Sequence, residues 1–358
     1  MAGRGGRYDR LRALAGYDRE RLASSTFLVA GVGALGNEVA KDLALLGAGR
    51  LLLVDFDRVE PSNLSRSLLF READVGLPKV RAAARALRNI NPGAEVEAVE
   101  GDLRWDLGLG TLRRCAVAFG CLDNREARLA LNRMCRSAGV PWVNGGLDGW
   151  DGVVELYPPR GACYECSFTG ADYAAVAERY SCPARPPAAG GVPTAPTAAA
   201  IVGGMAVEAG LFALPREAEA LYYRGGEVVR SRLQRRPGCP AHHAPGPVKR
   251  SGLTPESRVR ELLAAHPGTL FLDREVVTAL RCLCGRGRRL RVPRLRMDGA
   301  LRCRCGREMA SETVRRVGTG DPLAERSLKE LGIPPGHIVE VARGNRSVFV
   351  ELKEGRRG

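Results

Sequence analysis

Residues 26–57 read TFLVAGVGALGNEVAKDLALLGAGRLLLVDFD, and their hydrophobic rhythm changes twice. FLVAG is a continuous apolar run of strand length. The stretch to about Leu46 has the apolar spacing of a helix, and RLLLVDFD returns to a strand run, so the segment makes a βαβ unit. Between the first strand and the helix stand Gly31, Gly33 and Gly36, a Gly-x-Gly-x-x-Gly spacing. Glycines at these intervals permit a tight turn and a close approach of backbone to phosphate. The helix behind them offers N–H groups and partial positive charge to an anion. Asp55 lies 19 positions beyond Gly36, where a nucleotide fold places a carboxylate for ribose hydroxyls. Taken by itself, the spacing suits an NAD enzyme as well as another nucleotide binder.

The alternation continues outward, with a helix near 78–90, strands over 94–100 and 115–121, a helix over 125–138 and a strand over 140–144. This predicts an α/β fold with a Rossmann-like, doubly wound, mostly parallel sheet. After Pro141 the VELYPP stretch is flanked by turn residues and predicts antiparallel additions to that sheet. Residues 182–196 carry five prolines and two consecutive glycines, the composition of a mobile loop; a helix over about 197–213 follows. PGCPAHHAPGPVKRSG, residues 237–252, is the best linker. It divides the chain into a nucleotide-binding domain over 1–247 and a small cysteine-containing α+β module over 248–358.

The full length of 358 residues suffices for about two domains with a real core. A 45% hydrophobic content with 44 glycines and 22 prolines excludes collagen-like and low-complexity chains. The formal net charge of +15 favours an anionic partner: a nucleotide, an acidic protein or a nucleic acid. Between Arg281 and Arg307 ten arginines accompany one acidic residue, Asp298, so the second module's charge is a local patch. The first residues have no apolar leader run, and Thr197–Leu214 is interrupted by Glu208 and three glycines. The sequence therefore predicts no membrane span and a cytoplasmic setting. Eleven cysteines in that setting point to metal or chemistry rather than to disulfides.

GVGALGNEVAKDLALLGAGRLLLVDFDRVEPSNLSRSLLF, then VGLPKV, then CLDNREARLALN, taken in order, resemble the ThiF/MoeB/HesA family, relatives of ubiquitin-activating enzymes. The resemblance extends over about residues 7–243, and a Walker-type phosphate loop is absent, as in that family. It implies an ATP-dependent adenylyltransferase that activates the C-terminal glycine carboxylate of a ubiquitin-like or sulfur-carrier protein ending in diglycine, releasing pyrophosphate. It also implies residue roles. Arg66 in SNLSR and Lys79 in GLPKV bind phosphates, and Asp123 in CLDN holds Mg2+. Asp55 takes the ribose hydroxyls, Asp57 makes polar contacts near phosphates or metal, and Asn63 orients the phosphate loop. The chemistry agrees, because a carboxylate attacking a triphosphate needs cations and a metal to offset the accumulated charge. Arg10, in RYDR, resembles an arginine finger that reaches across a dimer interface, which implies a homodimer. Leu11 stands where the family often has glutamine, as does Ser67.

Cys163-x-x-Cys166 and Cys239-x-x-His242 have the spacing of a four-coordinate structural zinc site, with His243 an alternative fourth ligand. Cys282-x-Cys284 and Cys303-x-Cys305, each followed by glycine, make a further candidate zinc knuckle; the competing reading is four reduced cysteines on strands. The arginines around that segment suit RNA or an acidic carrier, but the module's few aromatics disfavour base stacking, so nucleic acid is the less favoured partner. Cys182 lies in the proline-rich loop, where some family members carry a cysteine that accepts the activated acyl group. Arg179 and Arg185 would lower its pKa; the alternative is a loop cysteine with no catalytic role. Cys115, Cys121 and Cys135 fit apolar packing positions. The tail SLKELGIPPGHIVEVARGNRSVFVEL has a helix-turn-strand-turn-strand rhythm resembling the end of a β-grasp domain, a docking module for a carrier or conjugating partner. Two other functions remain open from sequence: adenylation of a tRNA-borne carboxylate, with the basic module as RNA grip, and a non-catalytic nucleotide-binding scaffold.

Overall fold

β1 (Thr26–Ala30) lies between β2 (Arg50–Asp55) and β4 (Cys115–Gly120), parallel to both, with Val29 paired to Leu53 on one side and Phe119 on the other. In the computed structural model, residues 6–173, 193–212, 217–242, 246–293, 302–344 and 346–353 are described. The chain divides into two compact units. The first comprises Met1–Arg104, Leu112–Phe168 and Gly190–His243; the second comprises Trp105–Thr111, Thr169–Ala189 and Ala244–Gly358.

The first unit is built on an eight-stranded sheet, ordered β3 (Glu95–Glu100), β2, β1, β4, β5 (Trp142–Asp148), β6 (Asp151–Tyr157), β7 (Glu219–Arg224), β8 (Glu227–Arg232). The strands from β3 through β5 run parallel, and β6, β7 and β8 are added antiparallel. The parallel strands are apolar along their length because helices cover the sheet. Phe27, Val29, Leu51, Leu53, Val117 and Phe119 are buried with Val39 and Leu43 of helix α1 (Ala34–Leu46). α1 ends at Gly47, whose φ of +90° lets its N–H and that of Ala48 return to the carbonyls of Ala44 and Leu43. Helices α2 (Lys79–Ile90) and α3 (Arg125–Ala138) are the crossovers that parallel pairing requires. Helix α4 (Pro196–Phe212) lays Val202 and Ala206 into the same core. Among the described residues no helix is long and apolar enough to cross a membrane.

The second unit is α+β. Its six-stranded sheet runs β11 (Gly287–Pro293), β10 (Thr269–Arg281), β13 (Ile338–Arg343), β14 (Arg346–Glu351), β9 (Val248–Arg250), and β12 (Ala310–Val317) also pairs with β10. Helix α5 (Val259–Ala265) packs Val259, Leu262 and Leu263 against Leu270, Leu328, Leu331 and Val341. The helix expected over SLKEL is a run of turns instead. Leu328 and Leu331 are both fully buried, and local bonds such as Leu331 N–H to the Leu328 carbonyl satisfy the backbone there.

Candidate functional site

The strand order reverses between β1 and β4, and open α/β sheets collect ligands at the carboxyl ends of strands at such a point. β1 is followed by Gly31, whose φ of +87° is a glycine conformation. A Cβ there would also lie 2.9 Å from the carbonyl carbon of Cys121 in the loop after β4. Gly36, in the first turn of α1, packs directly on that turn, and a Cβ on it would lie 2.9 Å from the Gly31 carbonyl carbon and closer still to the oxygen. Gly33 differs from both. Its φ is an ordinary −76°, and a Cβ would meet nothing within 4 Å. As N-cap it supplies no side-chain acceptor, so no side chain caps the first N–H groups of α1, the groups by which a helix start binds an anion.

Around this turn the acidic and basic residues are tied together. Asp55 accepts from the Val32 N–H through Oδ2 (2.7 Å) and from the Asp57 N–H through Oδ1 (2.8 Å). Burial pushes its carboxyl above the usual range, and Lys79 and the two N–H donors pull it back. Lys79, at the first position of α2, donates from Nζ to Asp57 Oδ2 (2.8 Å) and from its backbone N–H to the Asp57 carbonyl (2.9 Å). Asn63 is buried, and its Oδ1 accepts from the Glu60 N–H (3.1 Å) to close the turn over Pro61–Asn63. Arg66 donates from Nη1 to the Ser62 carbonyl (3.0 Å), and Ser67 is buried beside it in the chain. Asp123 is exposed beyond the end of β4, where Asn124 Nδ2 donates to it (3.1 Å) while Asn124 Oδ1 caps α3 through the Ala127 N–H (2.8 Å). One turn on, Arg128 donates to the Leu122 carbonyl through Nε (3.1 Å) and Nη2 (2.7 Å), fixing that loop. Arg10 stands exposed on the short helix Asp9–Arg12. Cys182 and His243 lie outside the described residues.

Sequence reading overlooked Asn37. It is fully buried in α1, donates to the carbonyls of Val32 (2.9 Å) and Gly33 (3.0 Å), and accepts from the Leu69 N–H (2.8 Å). One amide thus joins the glycine turn to the loop carrying Asn63 and Arg66. The only trace in the sequence is a polar residue directly after Gly36.

Cys163, Cys166, Cys239 and His242 also come together. Cys163 Sγ lies 3.8 Å from Cys166 Sγ and 3.7 Å from Cys239 Sγ, and His242 Nε2 lies 3.4 Å from Cys166 Sγ. All four ligand atoms fall within 4.8 Å of one another, a group that could hold a metal ion. Two further residues escaped sequence reading here. Asn132 of α3 donates to Cys163 Sγ (3.7 Å) and accepts from the Tyr164 N–H (3.1 Å). Glu165 is fully buried and takes both Arg133 Nε and Nη2, each at 2.7 Å. The remaining thiols of this unit are inert packing groups: burial pushes Cys115 and Cys121 up to about 12, and Cys135 well above its ordinary value.

The family model described as "ThiF family" matches residues 8–225. The chain belongs to the ThiF family. A SAMP-activating enzyme E1 of Haloferax volcanii is 38% identical to this ThiF-family chain over 148 residues, covering 41% of this chain and 55% of that protein. A molybdopterin-synthase adenylyltransferase of Salmonella typhimurium is 37% identical over 165 residues, 45% of this chain and 66% of that one. Mouse adenylyltransferase and sulfurtransferase MOCS3 is 42% identical over 149 residues, 41% of this chain and 32% of that protein. The matches thus span between about one third and two thirds of these relatives' lengths. Among solved structures, E. coli MccB with ATP superposes with a TM-score of 0.53 at 21% identity, covering 68% of this chain and 75% of that one. This is a likeness of fold.

Proposed function

We propose that this chain is an ATP-dependent adenylyltransferase acting on the C-terminal glycine carboxylate of a ubiquitin-like or sulfur-carrier protein that ends in diglycine. One observation carries the reading. In a ThiF-family sheet, an uncapped helix start at Gly33 after β1 and an exposed Asp123 after β4 flank the reversal point, and Lys79, anchored by Asp57, opens the α2 helix that follows β2. The similarity to an E1 and to adenylyltransferases supports it.

In this reading an oxygen of the carrier's terminal carboxylate attacks the α-phosphorus of ATP. The bond from that phosphorus to the α,β-bridging oxygen breaks, pyrophosphate departs with the electron pair, and the acyl-adenylate remains. The N–H groups at the start of α1 and the cations Arg66 and Lys79 offset the charge that gathers on the triphosphate. Asp55 shapes the turn and presents its remaining lone pairs to the ribose. Asp123, an exposed carboxylate, suits Mg2+, which supplies further neutralisation of phosphate charge when bound. Three thiols and an imidazole match the ligand set of a four-coordinate structural zinc, with Cys163, Cys166, Cys239 and His242 as its holders. In a later step of this scheme the Cys182 thiolate, a sulfur donor or a partner's nucleophile attacks the acyl carbon, the acyl–phosphate C–O bond breaks and AMP departs with the electron pair.

The test is ATP–pyrophosphate exchange with diglycine-ended carriers. Carrier-dependent exchange that persists in Cys182→Ala supports adenylation with a later thiol step. Exchange stimulated by RNA alone, or nucleotide binding without exchange, overturns the reading. Three smaller results are expected. Asp57→Asn removes the charge that holds Lys79 and should raise the KM for ATP by about tenfold, with a smaller change in kcat. Mixing Arg10→Ala with Asp123→Ala chains should restore about one quarter of wild-type exchange, since a dimer with one chain of each kind keeps one whole site if Arg10 acts across the interface. Asn132→Leu should weaken metal retention about 10–100-fold in competition with a chromophoric chelator, because it strips the outer support from Cys163.

A further inference from the structure

The second unit contains another four-cysteine group, which adenylation does not use. Cys282 and Cys284 lie in the turn between β10 and β11, and Cys303 and Cys305 in the turn before β12. Both turns read Cys-x-Cys-Gly-Arg, and they repeat each other bond for bond. The Cys282 N–H donates to the Arg286 carbonyl (2.8 Å) and the Gly285 N–H to the Cys282 carbonyl (3.0 Å). The Cys303 N–H donates to the Arg307 carbonyl (2.8 Å) and the Gly306 N–H to the Cys303 carbonyl (2.9 Å). Gly285 and Gly306 share the left-handed conformation, φ +85° and +82°. In each turn the first cysteine is buried and the second exposed.

The sulfurs of the two turns face each other, Cys282 to Cys305 at 3.5 Å and Cys284 to Cys303 at 3.6 Å, with all four within 4.8 Å. A disulfide requires about 2.05 Å between sulfurs. Four thiolates about 2.3 Å from a tetrahedral zinc ion stand roughly 3.8 Å apart. The observed spacing is that of the ion's ligands, not of a bonded pair.

Two other features call for such an ion. Among the described residues, buried Val277 and Leu280 lie beneath the turns with Leu290 and Met309 packed on them. The strand ends of β10, β11 and β12 meet at these turns, and metal binding is a direct source of folding free energy in small modules. The turns and their flanks also carry exposed Arg281, Arg286, Arg302, Arg304 and Arg307. Zinc with four thiolates has a net charge of −2, which these cations offset.

We propose that Cys282, Cys284, Cys303 and Cys305 bind one structural zinc ion, closed to other ligands, that staples the β10–β11 turn to the turn preceding β12. The two exposed cysteines make the cleanest probe, because their replacement leaves the buried pair in place. Zinc counted by plasma mass spectrometry on the full-length chain, purified under reducing conditions, should fall by one equivalent per chain from wild type to Cys284→Ser/Cys305→Ser. The count should be restored in Cys284→His, which keeps a zinc ligand. In wild type the two turns should resist proteolysis until a chelator is added. An unchanged zinc count in the double variant overturns the proposal, as does a non-reducing peptide map that joins these cysteines in disulfides. Pyrophosphate exchange plays no part in the measurement, so its presence or absence leaves the zinc result intact.

Discussion

Gly36→Ala should unfold the first unit of the protein, or lower its stability by more than about 3 kcal/mol. The new Cβ would be driven against the Gly31 carbonyl, 2.9 Å from its carbon and nearer to its oxygen. Both partners are backbone, so no side chain can swing away. Gly31 cannot retreat either, because it holds a φ of +87° and abuts the Cys121 backbone on its other side. Such a cost is a large share of the 5–15 kcal/mol by which domains are typically stable. Gly33→Ala is the control. It has ordinary dihedrals and open space around the added methyl, so thermal and urea unfolding should match wild type. ATP binding should nevertheless weaken, by about tenfold or more, if phosphate occupies the space before α1. Equal stability for the two variants would refute the packing argument. Unchanged ATP affinity in Gly33→Ala would move the phosphate elsewhere.

Asp123→Ala should retain its fold and lose about 1,000-fold in carrier-dependent pyrophosphate exchange, equivalent to roughly 4 kcal/mol of transition-state stabilisation. The side chain is exposed, and the helix behind it is capped independently by Asn124, so folding has little to lose. Asp123 makes no ion pair among the described residues, so if it holds a metal on the triphosphate, as proposed, its loss affects the reaction alone. Asp123→Asn should fall between alanine and wild type, and raised Mg2+ should rescue it in part. If exchange survives Asp123→Ala, the metal is held by other groups. If the variant melts early, Asp123 serves the fold.

The elements that sequence made legible are those whose signal is local. The βαβ unit followed from the run FLVAG, the glycine spacing and RLLLVDFD, and the continuing alternation predicted a helix over 125–138, the bounds of α3. The antiparallel additions followed from turn residues around VELYPP, and the observed β5–β6 hairpin turns at Gly149, φ +61°. What stayed hidden depends on partners distant in the chain. Asn37 looked like one polar position on a helix, since Leu69, whose N–H it accepts, comes 32 residues later. Glu165 sat inside CYEC as an apparent spacer, although it is a fully buried anion whose arginine lies on α3. SLKEL has helical spacing, yet Leu328 and Leu331 are both drawn into the core of the second unit by tertiary packing, which overrides local propensity.

The bonds of Asn37 also set a rule for motion. One buried amide bonds both the glycine turn and the segment at Leu69, so opening either one strips a hydrogen bond from the side chain that the other holds. The amide protons of Leu69 and Asn37 should therefore exchange with solvent in one event, with a common free energy of opening close to that of α1 itself. Exchange in one event would make the glycine turn and the loop bearing Arg66 a single foldon, assembled before any nucleotide arrives.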